Sequence, residues 1–139
     1  MTVSGDKVEQ EIVIAAPADF VFKFFTDSAR HSLWLGLEAQ LDARPGGLYR
    51  CVVNDHSIAV GKYVEVLPPE RVVFTWGFEG NEALPPGSTT VTVTLRADGP
   101  RTILRLVHTG LSRPMLRLHD RGWSGYLPAL QAAVAASVP

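Results

Sequence analysis

The chain has 139 residues, of which 46% are hydrophobic and 19% are charged, and its formal net charge at pH 7 is −1. This composition is typical of a globular protein and excludes a disordered one. The 13 Lys and Arg residues are scattered along the chain, so we expect no nucleic-acid partner, which would need a concentrated basic surface. The length predicts a single domain, residues 1–139.

The N-terminal residues and the cysteine content predict the compartment. Charged residues, Asp6 and Lys7 among them, occupy the stretch where a signal peptide needs an apolar run. No apolar run reaches the roughly 18 residues of a membrane-spanning helix. The one cysteine, Cys51, has no partner for an internal disulfide, which suits a reducing compartment. We therefore expect a cytoplasmic protein with no membrane partner.

The elements predicted in chain order are one strand, two short helices and then a run of strands. Residues 7–15 alternate between apolar and charged side chains, as a strand with one solvated face does. Pro17 suits the first turn of a short helix, and Asp27 can cap a second over residues 28–34. Five strands follow, the first two as a hairpin around Asn54 and Asp55: 46–55, 57–67, 68–78, 88–97 and 101–110.

The last segment predicts one long helix that starts after Ser112. Apolar residues recur at spacings of three and four in two adjacent stripes: Leu116, His119, Trp123, Leu127, Leu130 and Val134; and Met115, Leu118, Gly122, Tyr126, Ala129 and Ala133. Such a broad apolar face suits a helix that covers a sheet. We predict an α+β fold in which a curved antiparallel sheet of about six to seven strands wraps around this helix.

Several motifs in this order resemble the SRPBCC (START-like, helix-grip) superfamily, and most closely its branch of homologues of the activator of heat-shock-protein ATPase. They are "IVIAAPADFVFKFFTDSARHSLWL", "GGLYR", "GKYVEVLPPERVVFTW", "STTVTVTL", "RTILRLVHTGL" and "GW" followed by "LPAL". The resemblance extends from about residue 8 to residue 131. It implies the helix-grip fold with a deep cavity between sheet and helix, and members that bind or transform hydrophobic small molecules.

On that fold, strand alternation and the helix stripes predict which side chains face the cavity. Arg50 and Arg105 should point outward, which turns their strand neighbours inward. The predicted ligand-binding residues are Trp34, Tyr49, Cys51, Phe74, Trp76, Phe78, Val93, Leu106, His108, His119, Trp123, Tyr126 and Leu127. An aromatic concavity with a few polar tips is typical of a small-molecule site, although the same residues could simply fill a core.

The histidines and the cysteine offer few chemical sites. His108 and Tyr49 are weak acid–base candidates, and the alternative for His108 is a structural residue bonded to a backbone carbonyl or to Tyr49. His119 and Asp120 are consecutive, so on a helix they point about 100° apart and cannot form a dyad; we expect Asp120 to be solvated. The histidines and carboxylates show no metal-ligand spacing, and we expect neither a metal nor a cofactor.

Three functions stay open at this point. The first is a binding domain for a hydrophobic, aromatic-containing small molecule. The second is a cyclase/aromatase-like enzyme that acts in the same cavity. The third, implied only by the family name, is a co-chaperone-like module with a chaperone partner. A homodimer through a sheet edge or a helix face is compatible with all three.

Overall fold

The computed structural model describes the backbone of residues 3–4 and all of residues 7–138. Its strands are β1 (Val3–Ser4), β2 (Lys7–Ile14), β3 (Glu38–Leu41), β4 (Leu48–Asn54), β5 (Ser57–Leu67), β6 (Arg71–Trp76), β7 (Thr89–Asp98) and β8 (Arg101–Thr109). All neighbours pair antiparallel in one sheet of order β1-β2-β8-β7-β6-β5-β4-β3. The sheet consists of seven longer strands and the two-residue β1, which lies at one edge.

The helices lie where the sequence predicts them. The helices α1 (Ala18–Phe22) and α2 (Ser28–His31) flank a short 3₁₀ helix over Lys23–Phe25, and α3 (Arg113–Ser137) is the long C-terminal helix. The carboxylate of Asp27 accepts from the Ala29 amide, as an N-cap does, although α2 ends earlier than residue 34. None of these helices combines the length and the apolar character that crossing a bilayer requires.

The long helix covers the concave face of the sheet with the first of its two stripes. Five of the six residues in that stripe are buried: Leu116, Trp123, Leu127, Leu130 and Val134. The second stripe is only partly covered, and Leu118 within it is 55% exposed. The helix continues through Pro128, which is exposed. Proline has no amide hydrogen for the carbonyl four residues earlier, and on the solvated side of the helix that carbonyl can bond to water instead. The predicted helix-grip architecture is confirmed.

A polar contact fixes the first half of α3 against β2. The side-chain amide of Gln10 donates to the backbone oxygen of Asp120 at 2.8 Å, to its carboxylate at 2.9 Å and to the Ser124 hydroxyl at 3.0 Å. Gln10 itself is buried on the concave face. The expectation that Asp120 is simply solvated is therefore wrong, because its carboxylate and its backbone carbonyl both bind this buried amide.

The loop between β6 and β7 is held closely to the sheet. The Phe78 amide donates to the Leu84 carbonyl at 2.8 Å, and the side-chain oxygen of Asn81 accepts from the amides of Ala83 and Leu84 at 2.9 and 3.0 Å. Leu84 is buried in the hydrophobic core. The loop is therefore held in one position beside the first turns of α3.

Candidate functional site

A cleft of about 790 Å³ opens between the first half of α3, the β4–β5 turn and the β6–β7 loop. The second stripe of α3 lines it with Met115, Leu118, Gly122 and Tyr126. The full lining is Leu35, Val53, Asn54, His56, Ser57, Trp76, Phe78, Glu79, Gly80, Asn81, Glu82, Met115, Leu118, His119, Gly122, Trp123 and Tyr126. The second stripe is thus partly exposed because four of its residues face this cleft.

The inner wall of the cleft is aromatic. The rings of Trp76 and Trp123 lie 5.5 Å apart, and the rings of Trp76 and Phe78 lie 5.6 Å apart at 75°. The ring of His119 lies 5.9 Å from that of Phe78. These separations are typical of interacting aromatic pairs, so strand β6 and helix α3 together present a fixed wall of ring faces and edges.

His119 joins the two sides of this wall. Its Nδ1 lies 2.9 Å from the Met115 carbonyl, which can only accept, so Nδ1 carries the proton. Its Nε2 then accepts from the Trp76 indole at 3.2 Å. Burial lowers the pKa of His119. A neutral His119 therefore has both nitrogens occupied by the protein, and a ligand in the cleft meets its ring rather than a free nitrogen.

His108 lies one layer deeper and is fully buried. The Trp123 indole donates to its Nδ1 at 3.1 Å, so Nε2 carries the proton and donates to the Thr89 hydroxyl at 2.8 Å. That hydroxyl donates onward to the Trp76 carbonyl at 2.6 Å. Burial, and secondarily the neighbouring His119, lower the pKa of His108 to about 3. The imidazole is thus a neutral structural link between β7, β8 and α3.

His31 is a second buried histidine, and the sequence patterns did not predict its role. Its Nδ1 donates to the Phe24 carbonyl at 2.8 Å, so its Nε2 accepts from the Tyr49 hydroxyl at 2.7 Å. Burial lowers the pKa of His31 to about 4 and raises that of Tyr49 well above its usual range. Tyr49 therefore pairs with His31 and not with His108. One sequence feature could have indicated this pairing, namely the position of His31 at the end of a short helix that faces the sheet.

Replacement of Tyr49 by phenylalanine tests this pairing. Tyr49→Phe leaves the Nε2 atom of His31 buried without a donor, and we expect it to lower the free energy of unfolding by about 1–3 kcal/mol. Tyr126→Phe is the matched control, because Tyr126 is only partly buried and its hydroxyl is not the group that pairs with His31. Urea denaturation measures both variants, and equal stability of Tyr49→Phe and the wild type would contradict the pairing.

The structure divides the thirteen sequence-predicted ligand residues into two groups. Five line the cleft: Trp76, Phe78, His119, Trp123 and Tyr126. The other eight are packed in the core and do not line it: Trp34, Tyr49, Cys51, Phe74, Val93, Leu106, His108 and Leu127. The core is dense here because aromatic rings fill it, as in the stacked pair of Tyr49 and Phe74 with ring centroids 4.2 Å apart.

Besides Tyr49 and His108, two further core residues, Trp34 and Cys51, use their polar groups in hydrogen bonds within the protein. The Trp34 indole donates to the Phe24 carbonyl at 3.0 Å. The Cys51 thiol donates to the Leu35 carbonyl at 3.2 Å, and burial raises its pKa to about 12. A thiol held in this way is a poor nucleophile, since the thiolate is the reactive form. Within residues 7–138, no buried side-chain nitrogen or oxygen lacks a partner.

Sequence reasoning missed the outer walls of the cleft. These come from two connections, the β4–β5 turn with His56 and the β6–β7 loop with Glu79 and Glu82. Strand alternation gives no information about turn residues, so no periodic signal was available for them. In the described part of the chain, no cluster of three or more His, Cys, Asp or Glu side chains could hold a metal ion.

With the fold and the cleft defined, comparison with known proteins identifies the family. A family model described as "Activator of Hsp90 ATPase homolog 1-like protein" matches residues 15–135. The chain belongs to this family. The resemblance stated from the sequence motifs is thereby confirmed. No curated protein sequence matches the chain significantly.

Solved structures extend this family assignment to the three-dimensional fold. CalU16 from Micromonospora echinospora is 27% identical with a TM-score of 0.77, over 92% of this chain and 75% of that one. DynU16, a protein in the dynemicin biosynthetic locus, is 22% identical with a TM-score of 0.83, over 98% of this chain and 49% of that one. The Aha1 dimer from Colwellia psychrerythraea is 17% identical with a TM-score of 0.79, over 92% and 95%.

Proposed function

We propose that this chain binds a small, largely apolar molecule with an aromatic part in the cleft beside α3. The observation that carries the proposal is the cleft itself, about 790 Å³ in volume and walled by Trp76, Phe78, Trp123 and Tyr126. Its size and composition are those of small-molecule sites, which are concave, mostly apolar and equipped with a few polar groups. DynU16, which shares the fold, is a protein in a biosynthetic locus, and this context supports a small-molecule ligand.

Five of the thirteen ligand residues predicted from the sequence form the proposed contact wall, and the other eight are buried in the core behind it. Hydrogen bonds fix two of the wall residues: the Trp76 indole donates to His119 within the wall, and the Trp123 indole donates to His108 in the core. A rigid wall loses little conformational entropy on binding, which favours affinity. We also propose that residues 1–139 form one domain and that it works in the cytoplasm, where the buried free thiol of Cys51 would stay reduced.

Gly122 provides a direct test of the cleft. A Cβ atom built at Gly122 meets nothing within 4 Å, and the same holds at Gly125, which does not line the cleft. We expect Gly122→Phe to place its ring in the cleft and to weaken binding of 1-naphthalenemethanol by about tenfold or more, a loss of about 1.4 kcal/mol. Isothermal titration calorimetry measures the affinity.

Gly125→Phe is the matched control for this experiment. It adds the same ring to the same helix outside the cleft, so the affinity should change by less than about twofold, or about 0.4 kcal/mol. Circular dichroism verifies that both variants keep the helix. Equal binding by Gly122→Phe and Gly125→Phe, or no binding by the wild type at millimolar probe, would overturn the proposal.

The family match favours one second candidate, a co-chaperone-like module. The Aha1 structure that shares this fold is a dimer, and a Plasmodium falciparum protein of the same fold is an HSP90 activator. This chain exposes Leu33 and Leu37, which are 60% and 65% accessible around the end of α2. Stimulation of an Hsp90-class ATPase by this chain, reduced by Leu33→Asp with Leu37→Asp, would support the module, and absence of stimulation would contradict it.

The enzyme alternative has less support. Its acid–base candidates, Tyr49 and His108, are fully buried, do not line the cleft and use their polar atoms in hydrogen bonds within the protein. A general acid or base must come within hydrogen-bonding distance of its substrate. We therefore propose binding rather than catalysis as the activity of the cleft.

A further inference from the structure

The charges around the cleft are unbalanced. Two glutamates, Glu79 and Glu82, belong to its lining, and no lysine or arginine does. Both glutamates are exposed at the rim and form no ion pair within residues 7–138. The arginines of the neighbouring helix, Arg117 and Arg121, are exposed residues outside the lining. The lining of the cleft therefore contains acidic side chains and no basic Lys or Arg side chain to balance them.

The wall behind this mouth is aromatic and carries no cation. Phe78 and Tyr126 expose part of their rings in the lining, whereas Trp76 and Trp123 expose only 4% and 3% of their surface, and the negative face of an aromatic ring attracts a cation rather than an anion. An anionic ligand would meet the same rings and both carboxylates with no cation to pair with. Charge of one sign in a concave, apolar surface focuses the potential into it.

From these two observations, and on the basis of the proposed function, we infer that the cleft selects an aromatic ligand that carries a protonated amine. The apolar part of the ligand lies against the wall of Trp76 and Trp123. The ammonium group lies at the rim near Glu79 and Glu82. The hydroxyl of Tyr126 is an additional polar group on the helix side of the cleft.

Three probes with one ring system and three charges test this selectivity: 1-naphthylmethylamine, 1-naphthalenemethanol and 1-naphthoate. At low ionic strength and pH 7 the order of affinity should be ammonium, then alcohol, then carboxylate, with about a fivefold step from alcohol to ammonium because exposed charge pairs are individually weak. Added salt at about 0.5 M should remove most of that step, since it screens rim charges.

Two pairs of charge-neutralising variants locate the effect. Glu79→Gln with Glu82→Gln should bring the affinity for the amine to within about twofold of that for the alcohol. Glu38→Gln with Glu70→Gln neutralises two exposed glutamates that do not line the cleft, and it should preserve the fivefold step. Equal affinity of the wild type for amine and alcohol, or tighter binding of naphthoate, would overturn the inference.

The outcomes separate this inference from the proposed function. If Gly122→Phe weakens all three probes but their charges make no difference, the cleft binds aromatic molecules and the charge selectivity is refuted. If none of the probes binds, or if Gly122→Phe leaves their affinities unchanged, the proposed function fails and the inference fails with it.

Discussion

Acidification from pH 7 to pH 5 is expected to lower the free energy of unfolding of this chain by about 4 kcal/mol, through its buried histidines. The pKa of His31 is lowered from 6.5 to about 4 and that of His108 to about 3. The unfolded chain takes up protons on these side chains below pH 6.5, whereas the folded chain excludes them. Their contribution to stability is therefore complete above about pH 6.5 and is lost as the pH falls toward the folded-state values.

Each of these two histidines accounts for about 2 kcal/mol at pH 5, because one pKa unit corresponds to about 1.36 kcal/mol. The lowered pKa of His119 acts in the same direction. Urea denaturation at half-unit pH intervals measures the slope. A stability that stays constant between pH 7 and pH 5 would show that His31 and His108 are not buried as neutral side chains.

Replacement of His108 by alanine is expected to cost about 3 kcal/mol or more at pH 7. The change leaves the Trp123 indole without its acceptor at a buried position and opens a cavity, and each of these effects costs from one to several kcal/mol. The same variant should lose only about 2 kcal/mol between pH 7 and pH 5, because one of the two titrating histidines is gone.

The His108→Ala variant also distinguishes a binding cleft from a catalytic cavity. We expect it to retain binding of 1-naphthalenemethanol, since His108 does not line the cleft, with a loss of no more than about threefold, or about 0.7 kcal/mol, because Trp123 loses its hydrogen bond to His108. His119→Leu is the matched change in the lining of the cleft, where the His119 ring lies next to that of Phe78. A His108→Ala protein of normal stability that lost all activity on a substrate would instead support the enzyme alternative.

The sequence allowed nearly the whole fold to be predicted, because its information lies in periodic patterns. Alternation along residues 7–15 and 88–110 identified strands that the structure confirms, and the stripe that begins at Leu116 identified the face of α3 that is buried. Period and burial are directly linked in such elements, since every second residue of a strand and every third or fourth of a helix faces the core.

The position of the cleft could not be predicted in the same way. Alternation places Tyr49, Trp76 and His108 on one face, but it does not show that rings would fill the space beside Tyr49 and leave space beside Trp76. That depends on how the second stripe of α3 lies beside the β4–β5 turn and on the β6–β7 loop anchored by Leu84. Both features depend on tertiary packing, which leaves no periodic pattern in the sequence.

Ligands are expected to bind outside the aromatic core, in the cleft beside Gly122. The crystal structure of the chain soaked with 1-naphthalenemethanol tests it most directly. We expect the naphthalene ring to lie against Trp76 and Trp123 over Gly122, with Tyr49 and His108 still bonded to their partners. A ring found beneath α3 between Tyr49 and His108, with their hydrogen bonds broken, would contradict the claim.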